Sequence, residues 1–335
     1  MKVLKTKKDR ARAPEEEPFV PEFERGQTIP GTSFRVRGVL GRGAFGTVYD
    51  CEDGILQVPC AVKIVNRNLV DHPEIEHVMM WEARQTARIN SDHVVKVRSV
   101  GRTAEAIPRL YINMFKLDGE CLFTVLRAIG RLHPIEAIMY ASHVAMGLVA
   151  AHAIGLVHCD IKPANIFLMR HYDPLTRSYV TRAVVLDLGV ARVASTGASE
   201  RSVGLRGTAI TAPPEQYEGR VYPQSDVYAL GVTFFMMLAG THPLAPFNNL
   251  RDLLQAKLRP ERIKRLRDVI PGIDPELDAL VWRMIQPDYL DRPATMEEVL
   301  GCLSIIQERE EDRLVAEAIL CLLYTSPSPR DRTRS

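Results

Sequence analysis

The 335-residue chain has no CxxC pair, and its six cysteines, at 51, 60, 121, 159, 302 and 321, stand far apart. That spacing excludes a disulfide framework and a zinc knuckle, and it fits a reducing, cytoplasmic setting. Charge of one sign is also lacking: 43 Lys+Arg against 41 Asp+Glu leave a net charge of +2. No global field therefore points to nucleic acid or to an anionic membrane, and neither is expected as a partner. The basic start "MKVLKTKKDRAR" meets "APEEEP" with no apolar secretory core between them. Long apolar runs are few. "IMYASHVAMGLVAAHAIGLV" has the length of a membrane span but carries Ser142, His143 and His152, and "YALGVTFFMMLAG" is too short. Both read as buried helices, so no membrane span is expected in this chain.

What the chain has is ordinary globular composition, 46% hydrophobic and 25% charged, with length for two lobes. Residues 1–30 are charged and proline-rich and read as a disordered lead-in. From Phe34 the pattern turns strand-like: "FRVRGVLGRGAFGTVYDCED" reads as strand, glycine turn, strand, and "VPCAVKIV" as a third strand. A helix follows over "DHPEIEHVMMWEARQTARI", with Asp71 as N-cap and Ile75, Val78, Met79, Thr86 and Ile89 at helical spacing. "VVKVRSVG" and "RLYINMF" add two strands. After Asp118 the chain turns helical, with helices expected at about 120–129, 135–154, 224–240, 249–258, 275–286 and 295–310. The expected fold class is α+β, with a strand-rich first lobe and a helix-rich second.

Four stretches carry chemistry. "GRGAFG", Gly41 to Gly46, has the G-x-G-x-x-G spacing, but a strand follows it, so it suits a hairpin over phosphates and not a dinucleotide fingerprint. "AVKIV" places Lys63 inside a strand; buried lysine needs a partner, and Glu82 on the next helix is the candidate, a snorkelling lysine being the plainer alternative. "HCDIKPANIF" supplies Asp160, Lys162 and Asn165. An Asp can accept a hydroxyl proton, a Lys two residues on can neutralise a moving phosphoryl group, and an Asn amide oxygen can ligate a metal. "VVLDLGVAR" then delivers Asp187, a hard oxygen ligand suited to Mg²⁺.

In this order the motifs resemble the protein kinase family across residues 34 to 310. "GTAITAPPEQ" looks like the end of the family's activation segment, with Thr208 and Glu215 in it. "SDVYALG", carrying Asp226, looks like the buried helix after it, and "DRPA" supplies Arg292 to pair with Glu215. The resemblance implies a bilobal fold, an antiparallel-sheet N-lobe at about 31–116 and a mainly helical C-lobe at about 118–310. It implies ATP and Mg²⁺, with Mn²⁺ as a substitute. Gly41, Gly43 and Gly46 would cover the phosphates. Leu40, Val48, Ala61 and Phe167 would sandwich the adenine, Met114 would be the gatekeeper, and Phe115 to Leu117 the hinge. Lys63 would hold the α- and β-phosphates and pair with Glu82. Asp160 would be the base, Lys162 the γ-phosphate contact, and Asn165 and Asp187 the metal ligands. D-x-K-P-x-N matches serine/threonine kinases, and the style of "APPEQ" matches the bacterial, eukaryotic-like type. Protein serines and threonines would be the substrates, with a second copy of the chain as partner for autophosphorylation.

Several positions depart from that pattern. Cys159 replaces the arginine that precedes the catalytic Asp in most of the family, the non-RD condition, so activity should not depend strongly on phosphorylation at Ser195, Thr196, Ser199 or Ser202. Cys159 itself reads as a small buried filler before it reads as a redox sensor. Leu188 replaces the Phe of D-F-G, and Thr86 stands where a larger apolar residue is usual. The stretch "MRHYDPLTRSYVTRA", within 168–183, reads as an inserted hairpin, and "RDLLQAKLRPERIKRLRD" as a solvated basic face. Residues 311–320 read as the start of a truncated C-terminal region that a membrane anchor could follow. "CLLYTSPSPRD", from Cys321, resembles a translated sequencing adapter, so 321–335 are set apart from the fold. The alternatives to an active kinase are a pseudokinase acting as a nucleotide-binding module and a small-molecule phosphotransferase; the latter generally lacks the "APPEQ" stretch and the D-x-K-P-x-N lysine.

Overall fold

A computed structural model describes residues 21–43, 45–187, 209–247 and 249–325, with side chains to residue 318. Leu188, Ser195, Thr196, Ser199, Ser202 and Thr208 lie outside the described residues.

The first lobe is a five-stranded antiparallel sheet of β1 (Phe34–Arg42), β2 (Gly46–Asp53), β3 (Val58–Val65), β4 (Val97–Arg102) and β5 (Leu110–Phe115), in the order β1-β2-β3-β5-β4. Its one long helix is α1 (Pro73–Thr86). The period-two alternation of the strands gives the sheet two apolar faces. Val65, Leu110 and Ile112 pack against Ile75, Met79 and Ala83 of α1. Phe34, Val36, Tyr49, Cys51, Val62 and Ile64 form the opposite face.

That outer face needs a cover, and residues 21–30 supply it. The ring of Phe23 meets Tyr49 edge-on at 5.5 Å, Ile29 is fully buried, and Glu22 pairs with Arg109. The expectation of a disordered lead-in up to residue 30 is therefore corrected for 21–30. Two apolar anchors in a polar stretch suffice where an apolar sheet face is waiting for them. The cap of α1 also differs from expectation: its N-cap is His72, not Asp71, and makes no side-chain cap bond.

The second lobe holds α2 (Leu122–Ile129), α3 (Pro134–His152), α4 (Pro223–Ala239), α5 (Leu250–Lys257), α6 (Leu266–Val269), α7 (Pro275–Met284) and α8 (Met296–Thr325). A small sheet, β6 (Gly119–Cys121), β7 (Ile166–Asp173) and β8 (Ser178–Val185), lies in the order β6-β7-β8. The 168–183 insertion is the outer part of the β7–β8 hairpin, paired from Ile166↔Val185 to Asp173↔Ser178. α3 and α4 are apolar on nearly every side because they are the centre of the core, not its skin. α3 has the length and hydropathy to cross a bilayer, and 56% of that window is buried within this lobe. α8 runs 15 residues past the expected end at 310, since "EEDRLVAEAIL" is built of strong helix formers. Cys321 does not end it.

Candidate active site

The polar groups expected to act together meet where the two lobes face each other. β2 pairs with β3 so that Val48 lies opposite Lys63 and Asp50 opposite Ala61; β5 places Met114 opposite Ala61. Val48, Ala61, Lys63 and Met114 thus share one sheet face. Leu40 sits at a β1 bulge and is 51% exposed. The glycine hairpin closes between Arg42↔Thr47, with the Gly43 N–H donating to the Gly46 carbonyl at 2.8 Å. Gly46 has a steric reason to be glycine: a Cβ there would lie 2.5 Å from the Ile64 carbonyl oxygen. Phe115, in the expected hinge, is 45% exposed and lies beneath the Arg98 guanidinium at 4.0 Å. Leu117 is half-buried at the crossing between lobes, and Phe167 rises from β7 opposite Cys121.

Lys63 is buried at 6% exposure. Its Nζ donates to Asp187 Oδ1 at 2.8 Å and stands 3.8 Å from Glu82 Oε1. Burial alone would drive its pKa down, but the two carboxylates outweigh burial and hold it above the ordinary lysine range. The snorkelling alternative is thereby excluded. Asp187 is held below the usual carboxylate range by Lys63, against the opposing effect of burial. Glu82 goes the other way: burial pushes its carboxyl up to about 7, and Lys63 offsets this only in part. A small cavity lined by Glu82, Thr86, Val95, Ile112 and Met114 lies behind this cluster. The Thr86 hydroxyl donates to the Glu82 carbonyl at 2.8 Å, so the polar residue is satisfied within its own helix.

Below the cleft, the loop carrying Asp160 is fixed from beneath by Asp226 at the start of α4. Asp226 is fully buried; its Oδ2 accepts from the His158 N–H and its Oδ1 from the Cys159 N–H, both at 2.8 Å. His152 Nε2 adds a third contact at 2.8 Å. These bonds matter because Cys159 has φ 64, a strained value for a residue with a Cβ. Gln216 Nε2 holds the Cys159 carbonyl at 3.0 Å, joining the "APPEQ" stretch to the loop. His158 accepts the Asp160 N–H at Nδ1 and donates from Nε2 to the Leu186 carbonyl, which places Asp187 one residue on. The Leu186 N–H donates to the Asn165 carbonyl at 2.8 Å, tying both metal-ligand candidates together.

Asp160 Oδ2 accepts from Lys162 Nζ at 2.7 Å and from Asn165 Nδ2 at 2.9 Å. Asp160 Oδ1 is buried and has no partner among the described residues. Because the Asn165 amide nitrogen is spent on Asp160, its oxygen is the atom left for a cation. Asp187, at φ 49, brings to the same cleft a side chain that is 44% exposed. An amide oxygen and a carboxylate open to the cleft are the hard donors that Mg²⁺ takes while keeping waters and substrate oxygens.

The remaining expected pair is fully formed. Glu215 and Arg292 make two bonds, at 2.8 and 2.9 Å. Ser225 Oγ donates to Glu215 as well, at 2.8 Å. Sequence reasoning missed His158, His152 and Gln216; only the H-x-D spacing hinted at the first. It also set Lys257 on a solvated basic face, whereas this residue is fully buried on α5. Its Nζ donates to the carbonyls of Ala209 and Ala212, and burial pushes it down to about 7. An isolated basic residue in a basic run carries no mark of the carbonyls that wait for it.

Two lobes, a glycine hairpin, a lysine between two carboxylates and a loop Asp beside two metal-ligand candidates define a phosphotransferase of the bilobal type. The protein kinase domain model matches residues 34–302, and the chain belongs to that family. It is 30% identical over 269 residues to the serine/threonine-protein kinase PknE of Mycobacterium bovis, covering 79% of this chain and 45% of the relative. To the serine/threonine-protein kinase Pkn1 of Myxococcus xanthus it is 31% identical over 280 residues, covering 82% and 38%. The chain thus spans less than half the length of these curated relatives. The crystal structure of the Mycobacterium tuberculosis PknI kinase domain superposes with a TM-score of 0.60 at 23% identity, covering 84% of this chain and 98% of that one. That likeness confirms the fold.

Proposed function

We propose that the chain transfers the γ-phosphoryl group of Mg·ATP to serine or threonine hydroxyls of proteins. The observation that carries this reading is Asp160. One of its oxygens is saturated by Lys162 and Asn165, and the other is buried and unpartnered among the described residues. A carboxylate fixed through one oxygen keeps the other uncommitted, and a hydroxyl that reaches it would find an acceptor for its proton. Lys162, 2.7 Å from that carboxylate, would place a positive charge where charge builds on the transferring group. Asn165 and Asp187 would hold Mg²⁺, which supplies charge neutralisation between the phosphates when bound. Lys63 would hold the α- and β-phosphates beneath Gly41, Gly43 and Gly46. Leu40, Val48, Ala61 and Phe167 would enclose the adenine against Met114 and the hinge.

Labelled γ-phosphate transfer from Mg·ATP to a generic protein, run beside Asp160→Asn, tests this. Transfer to Ser or Thr that falls by roughly 10²-fold or more in the variant is expected. Nucleotide binding without transfer in the parent chain would favour the pseudokinase reading instead.

The same reading includes independence from loop phosphorylation. Cys159 offers no guanidinium for a phosphate, and its backbone is already held by Asp226 and Gln216. Stoichiometric phosphorylation at Ser195, Thr196, Ser199 or Ser202 should change the rate by less than about threefold, given hydrogen bonds already made without it. A gain of roughly tenfold or more, on the order of the contribution of a new charge-assisted pair, would overturn it.

A further inference from the structure

Asn66 stands three residues after Lys63, at the N-cap of a single 3₁₀ turn, Arg67–Leu69. Asparagine at such a position ordinarily folds its side-chain oxygen over the free N–H groups of the turn. Here it makes no side-chain cap bond. The side chain faces the glycine hairpin: Nδ2 donates to the Gly43 carbonyl at 3.2 Å, and Oδ1 accepts from Thr47 Oγ1 at 3.0 Å. The backbone N–H of Asn66 donates to the Phe45 carbonyl at 3.0 Å. One residue therefore holds the hairpin at 43, 45 and 47.

Its own footing is firm. Val65, just before it, pairs with Gly46 in the β2–β3 register, and the Val65 carbonyl accepts from Arg109 Nη1 at 3.2 Å. Arg109 is buried and neutralised by Glu105 and Glu22. Glycine-rich backbone loses much conformational freedom when it is ordered over a ligand. A residue that ties two carbonyls and a hydroxyl of the hairpin from behind removes part of that loss before the ligand arrives.

We infer that Asn66 is a positioning residue that sets the shape of the glycine hairpin for nucleotide phosphates without touching the nucleotide. The inference rests on the nucleotide reading of the cleft given above. It separates phosphate recognition from adenine recognition, and that separation is measurable.

The experiment compares binding of Mg·AMP-PNP and of adenosine, by calorimetric competition, to the parent chain, Asn66→Ala, Asn66→Asp and Thr47→Val. Asn66→Ala should bind Mg·AMP-PNP roughly tenfold more weakly, with adenosine changed by less than about twofold, as expected when the side-chain bonds to Gly43 and Thr47 are lost. Asn66→Asp keeps the acceptor for Thr47 but sets a carboxylate against the Gly43 carbonyl and beside the phosphates, so it should lose at least as much as Asn66→Ala, whereas the near-isosteric, neutral Thr47→Val should lose roughly threefold. Thr47→Val carries the test should Asn66→Ala fail to fold. Thr47→Val added to Asn66→Ala should weaken binding no further, because both remove the same bond. Equal losses for both ligands, or no loss for either, would overturn the positioning role. Failure of the parent chain to bind Mg·AMP-PNP would instead overturn the kinase reading.

Discussion

Two glutamates are buried to the same depth, and each faces a cation, yet they are opposites. Glu215 and Glu82 are both 5% exposed. Glu215 has both oxygens taken, by Arg292 and Ser225. Arg292 spends its remaining donors on the carbonyls of Gln286, Gln224 and Pro287. Glu82 has one oxygen 3.8 Å from Lys63 and the other, Oε2, without a partner among the described residues. Lys63 meanwhile turns to Asp187 at 2.8 Å. A saturated buried pair acts as a strut, since every donor and acceptor is already committed. An unsaturated one keeps capacity for something else, and this one lies on the cleft. The difference teaches where to look for chemistry in this fold: at the incomplete network, not the complete one.

Removing the strut should give the largest effect. Arg292→Met should lower unfolding stability by about 3–5 kcal/mol, because it leaves the Glu215 carboxylate buried and unpaired. Adding Glu215→Gln to Arg292→Met should recover part of the loss, because the orphan charge then disappears. Urea unfolding of the single and double variants checks this. An Arg292→Met chain that unfolds at the parent midpoint would erase the contrast between the two glutamates.

How much of this contrast was legible beforehand depended on the type of residue. Lys63, Glu82, Asp160, Asn165 and Asp187 stood out because each combines unusual chemistry with a fixed spacing, and the structure brings all of them to one cleft. The Arg292–Glu215 pair, separated by 77 positions, could be read only through the family resemblance. The supports were not legible. Gln216, His152 and Lys257 act on backbone carbonyls or on another support, and sequence carries no record of which carbonyl lacks a partner. The strap at 21–30 escaped for a related reason. Two apolar residues in a polar stretch are too few for a periodicity argument, and their burial depends on a sheet face formed by other segments. Local patterns specify elements well, while long-range polar satisfaction emerges only once the elements have met.

The pH dependence of stability sharpens the comparison from the other glutamate. Glu82 titrates from an ordinary value of 4.5 in the unfolded chain and at about 7 in the folded one, with burial as the main cause. Between those values the folded chain binds more protons than the unfolded chain. Raising the pH through that window therefore removes stability; the contribution is full below 4.5 and gone above about 7. Glu82→Gln has no such titration. The stability of the parent minus that of Glu82→Gln should thus fall by up to about 3 kcal/mol across the window, at about 1.4 kcal/mol per pKa unit. Denaturant unfolding of both proteins at several pH values measures it. A difference that rises with pH would mean that Lys63 holds Glu82 as a committed carboxylate, in the manner of Arg292 and Glu215. The cleft would then contain a second strut, and the lysine's engagement with Asp187 would have to be explained in another way.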